Sequence, residues 1–160
     1  MNNTKNCVQN RKIRVLYLTA VPIKGGPGGG IATWTKAILN SKLKDMLEID
    51  AVNTGPIGRR LKQLYGKRSF FEELRRFFGI IRDTKKKKKQ FGPDIVHINS
   101  SCSPYGMIRE VICARMLRRS LILVHFRCDI AYQVQSKIPK FFLGLLVRNT
   151  DRILTLNESS

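Results

Sequence analysis

"KIRVLYLTAVPIKGGPGGGIATWTKAIL", residues 12–39, decides how the rest of the chain is read. Residues 12–21 are rich in β-branched and aromatic side chains and nearly continuous in apolar character. That pattern suits a strand buried on both faces, as in a parallel sheet. Residues 31–43 then place Ile31, Trp34, Thr35, Ile38 and Leu39 at helical spacing. Between them lies "GGPGGG", residues 25–30, five glycines and one proline. Side chains are absent there either because the loop only has to turn or because something must come close to its backbone. Strand, tight connection and helix make the first half of a βαβ unit.

Outward from this stretch the same alternation repeats. Residues 48–53, 94–99, 120–126 and 152–156 read as further strands, and 54–58, "TGPIG", as a turn. Helices are expected over 69–91, 103–119 and 138–149. Ser69 and Glu72 form a capping-box pattern at the start of the first of these. Its Phe70, Phe71, Leu74, Phe77, Phe78 and Ile81 form an apolar stripe, with Arg75, Arg76 and Arg82 largely off it. In the second, Met107, Ile108, Val111, Ile112 and Met116 point inward. Right-handed crossovers between such units give an α/β fold: a Rossmann-like, doubly wound parallel sheet. Residues 1–11 read as a floppy tail and 12–160 as one domain.

Composition bounds the function. A hydrophobic content of 42% supports a real core. Thirty Lys and Arg against 11 Asp and Glu leave a net charge of +19, which implies an anionic partner. Nucleic acid, an anionic membrane surface and a phosphorylated ligand all qualify. No aromatic residue interleaves with the run Lys85–Lys89, so specific nucleic-acid binding is not expected. The phenylalanine-bearing helix either faces a core or lies on an anionic membrane. Cys7, Cys102, Cys113 and Cys128 show no C-x-x-C spacing and read as free thiols in a reducing compartment. The first residues lack an apolar signal core, and no apolar run reaches the roughly 18 residues that span a bilayer. The expected location is cytoplasmic, at most peripheral to a membrane. No carboxylate pair is set out for a metal, and no tightly bound cofactor is expected.

A doubly wound sheet binds ligands at the carboxyl ends of its strands. Gly25 to Gly30 follow the first strand, and His97, Asn99, Ser100 and Ser101 end the third. His125, Arg127 and Asp129 end the fourth, and Asn157, Glu158 and Ser159 follow the fifth. Bare backbone at Gly28, Gly29 and Gly30 lets N–H groups approach a phosphate or sugar oxygen, aided by the helix that follows. The stretch lacks G-K-[ST], so it is not a Walker A loop. His97 is either a half-buried structural histidine or a ligand contact. His125 either bonds to backbone or works with Asp129 as a general base. Arg127 either binds a phosphate or pairs with Asp129.

Four stretches together resemble the N-terminal domain of retaining, nucleotide-sugar-dependent glycosyltransferases of the GT-B fold, family four in particular. They are "KIRVLYLT…GGPGGGIATWTKAIL", "PDIVHINS" (93–100), "LILVHFRCD" (121–129) and "DRILTLNESS" (151–160), in the family's order over residues 12–160. The resemblance implies a two-domain enzyme that moves a hexose from a nucleotide sugar to a hydroxyl on a polysaccharide or lipid-linked glycan. It implies that Gly28, Gly29 and Gly30 approach the donor phosphates or the acceptor and that His125 contacts the transferred sugar, with His97 a further match. The nucleotide sugar would be a co-substrate held mainly by a second, donor-binding domain. That domain's E-x7-E pattern does not occur here, so this chain alone is expected to be inactive.

Overall fold

A computed structural model describes residues 11–22, 30–55, 70–100 and 102–155. The strands are β1 (Ile13–Thr19), β2 (Leu47–Asn53), β3 (Ile95–Ser100), β4 (Leu121–Phe126) and β5 (Arg152–Leu154). They form one parallel sheet in the order β2-β1-β3-β4-β5. The helices are α1 (Gly30–Leu39), α2 (Leu43–Met46), α3 (Phe70–Gln90), α4 (Pro104–Met116), α5 (Ile130–Gln133) and α6 (Lys137–Arg148). The expected α/β fold with a doubly wound parallel sheet is therefore present.

From β1 the chain steps one way to β2, then crosses back to β3 on the other side of β1. Every later step continues in that second direction. Right-handed crossovers put α1 on one face and α3, α4 and α6 on the other. Contacts agree: Thr35 of α1 meets Thr19, while Lys87 of α3 meets Asp50 and Glu110 of α4 meets Ser100, residues of opposite pleat. Helix α4 packs between α3 and α6.

The dry core lies between the sheet and these three helices. Leu16, Leu18, Val96, Ile98, Ile122, Val124 and Phe126 project there, all at most 2% exposed. Met107, Val111 and Ala114 of α4 and Leu146 of α6 cover them. Burying each large apolar side chain stabilises by about 1.5–3 kcal/mol. Ser103 caps α4, accepting from the Gly106 amide at 3.2 Å, and Pro104 opens the helix without needing a donor.

Helix α3 departs from expectation. Ile80 and Thr84 are buried, whereas Phe71 is 78% and Phe78 60% exposed. The apolar stripe is wider than the face the sheet accepts. Arg76 donates to the Thr54 carbonyl and Lys87 to the Asp50 carboxylate. These ties fix the Arg76–Ile80–Thr84–Lys87 face inward and turn Phe71 and Phe78 out. Among the described residues, Cys102, Cys113 and Cys128 are free thiols.

Candidate functional site

Because the chain leaves β1 in opposite directions on its two sides, the carboxyl ends of β1 and β3 form the crevice of a doubly wound sheet. In register, Tyr17 lies opposite His97 and Asn99 opposite His125. The pleat therefore directs Tyr17, Thr19, His97, Asn99 and His125 to the face that carries α1. Trp34, one turn into α1, closes over them. Its ring centroid lies 5.9 Å from Tyr17, 5.4 Å from His97 and 5.9 Å from His125. The two imidazoles are 5.6 Å apart, and the Arg127 guanidinium lies 4.3 Å over the Trp34 ring.

A directed hydrogen-bond relay ties this cluster to α1. The Thr35 hydroxyl donates to the Ile31 carbonyl at 2.8 Å, so the 2.7 Å bond between Thr19 and Thr35 must be donated by Thr19. Thr19 Oγ1 can then only accept from Asn99, whose Nδ2 lies 2.8 Å away. This fixes the amide with Asn99 Oδ1 on the opposite side. That oxygen is buried and has no partner.

Three other buried polar atoms of the same cluster also lack partners: His97 Nε2, His125 Nδ1 and Arg127 Nε. Such orphans are unusual in folded proteins and costly to maintain. His97 is only 8% exposed. Burial, then the positive fields of His125 and Arg127, pull its pKa down to about 4. Burial and Arg127 lower the pKa of His125 as well. At neutral pH both imidazoles are uncharged, each offering one donor and one acceptor. Burial lowers the pKa of Arg127 and raises that of Tyr17. The arrangement can bind hydroxyl groups through neutral donors and acceptors, with one guanidinium for an anion.

Sequence reasoning finds His97, Asn99, His125 and Arg127, and the structure brings them together. Ser100 does not join them. It belongs to the opposite pleat and donates to Glu110 at 2.6 Å, inside the core. Asp129 does not pair with His125 or Arg127. Its carboxylate accepts from the Tyr132 amide at 3.1 Å and caps α5. Gly30 opens α1 with no atom within 4 Å of where a Cβ would stand, so a neighbouring atom does not require glycine there. Gly25 to Gly29, Ser69, Ser101, Asn157, Glu158 and Ser159 lie outside the described residues, as does the tail up to residue 10. Sequence reasoning missed Tyr17, Thr19, Trp34 and Thr35 as site residues. The period of two from Tyr17 to Thr19 was the available signal.

No family model matches the chain, and no curated protein matches it. Among the described residues, no group of three His, Cys, Asp or Glu is placed to hold a metal, and no helix is long and apolar enough to cross a membrane.

Proposed function

We propose that the carboxyl edge of β1, β3 and β4, beside Trp34, binds a sugar and that this chain is the acceptor-side part of a nucleotide-sugar-dependent hexosyltransferase. The complete enzyme would move a hexose from a nucleoside diphosphate sugar to a hydroxyl of a polysaccharide or lipid-linked glycan. One observation carries the reading: four buried polar atoms, on His97, Asn99, His125 and Arg127, lack partners and belong to one cluster under α1. A ligand rich in hydroxyls is the chemistry that satisfies neutral imidazoles and an amide oxygen together. Arg127 adds a cation for a phosphate or carboxylate. The Gly25–Gly30 stretch fits the same reading through its backbone donors. His125 is the residue kept for the transfer chemistry on this side, while Asp129 is occupied in capping α5. Stabilising the diphosphate leaving group falls to a donor-binding domain.

Nitrogen NMR of labelled histidine tests this directly. A nucleoside diphosphate hexose, the free diphosphate and simple glycosides are each titrated into the protein. We expect the His97 and His125 ring signals to move with the sugar-bearing ligands and the response to fall at least about tenfold in Asn99→Ala. Unmoved rings at millimolar concentrations of every sugar ligand would overturn the proposal. A second reading, a nucleotide- or polyanion-binding module without transfer, is favoured by the net charge of +19. Equal responses to the free diphosphate and the sugar nucleotide would support it instead.

A further inference from the structure

The outward face of α3 carries Phe71, Arg75, Phe78, Arg82, Lys85 and Lys89, in steps of four and three residues. That spacing aligns them along one side of a helix. Leu74 borders the stripe and is 39% exposed. Arg75, Phe78, Gly79 and Arg82 line a shallow groove on it. The stripe has one apolar half, near the start of the helix, and one basic half, near its end. The Arg82 guanidinium meets Asp83 at 3.3 Å, but both side chains are more than half exposed, so solvent screens the pair. Lys87 does not belong to this face, because it is bound to Asp50.

A protein core would bury the phenylalanines without needing the cations. A soluble polyanion would use the cations without needing exposed phenylalanines. An anionic lipid surface uses both: rings enter the headgroup–acyl boundary while guanidinium and ammonium groups meet lipid phosphates. We propose that this face of α3 seats the protein on anionic membranes. Helix α6 carries the same chemistry at its start, where Ile138 and Phe141 are exposed beside Lys137 and Lys140. Both helices run against the strands, so both starts lie at the carboxyl edge of the sheet. This inference stands on the α3 face alone and does not depend on what the crevice binds.

Flotation of the whole chain with vesicles tests it. Phosphatidylcholine vesicles with and without phosphatidylglycerol serve as probes, at low and high salt. Binding to the anionic vesicles, weakened by salt, is expected. Lys85, Lys86, Lys88 and Lys89 replaced together by Gln, with Lys87 kept, should lower partitioning at least about tenfold. Phe71→Ser with Phe78→Ser should lower it about as much, with the fold retained by circular dichroism, since both side chains are mostly exposed. Equal binding to neutral vesicles, or anionic binding untouched by the phenylalanine changes, would overturn the proposal. So would retention on heparin or RNA together with no flotation on either vesicle.

Discussion

The two faces of the sheet handle buried polar groups in opposite ways. On the face covered by α3, α4 and α6, they are paired: Ser100 with Glu110, Cys113 with Thr84, Lys87 with Asp50. The orphan Nε atoms on that side belong to Arg14 and Arg76, whose guanidiniums already meet Asp94 and Thr54. On the face beneath α1, four orphans gather within one cluster. Unmet polar atoms raise the free energy of the folded state, and they persist where a ligand later meets them. One face matches its polar groups within the fold, and the other leaves four of them unmatched.

The sharpest break would come from the core. Met107→Ala leaves a cavity under the sheet and is expected to cost about 2–5 kcal/mol in denaturant unfolding. The histidine NMR response to sugar should survive in the folded fraction. Loss of that response without loss of stability would mean the two faces are coupled.

The pH dependence of stability separates the faces by sign. The folded pKa of His97 lies near 4, below its unfolded value of 6.5. Between these values the unfolded chain binds more protons, so His97 makes stability rise with pH, by about 3 kcal/mol in all. Burial raises the pKa of Glu110, against the pull of its Ser100 bond and of Arg109. Its stabilising effect is present below the unfolded carboxyl pKa and is lost as pH rises through the folded value. His97→Leu should flatten the acid-side rise, and Glu110→Gln should remove the opposing fall. Urea midpoints measured across pH 4 to 8 check both; matching slopes in the two variants would erase the contrast.

A smaller effect is expected at the relay. Thr35→Val removes its central hydroxyl and leaves the Thr19 proton without an acceptor, at about 1–2 kcal/mol. The Asn99 side-chain amide signals should shift in the same variant. A change in stability with unmoved Asn99 signals would break the relay at that point.

Much of the architecture is legible in the sequence for one physical reason. Strands of a covered parallel sheet read as apolar runs, so "IRVLYLT" and "LILVHF" announce themselves, although in the second Leu121, Leu123 and His125 stay partly exposed. The site was legible only in part. His97 and Asn99 stand two apart and share a face, and the same period of two would have sent Ser100 to the other side. Asp129 reads as a catalytic carboxylate beside His125, yet an aspartate directly before "IAYQ" is also a helix cap, and the cap prevailed. Glu110 was invisible because a glutamate on a helix ordinarily faces solvent; the Ser100 hydroxyl and the Arg109 guanidinium, 3.7 Å away, account for its burial. The turn of α3 was hidden because Arg76 and Lys87 choose its inner face through Asp50 on β2 and Thr54 just past its end, which no helical periodicity encodes.

Trp34 is the chain's single tryptophan, and it touches both imidazoles and the Arg127 guanidinium. The protein thus carries a built-in optical reporter. Its indole emission needs no label and has no competing indole signal. Protonating a nearby imidazole or filling the crevice should change the brightness or colour of that light, so occupancy can be followed in a cuvette with the unmodified chain.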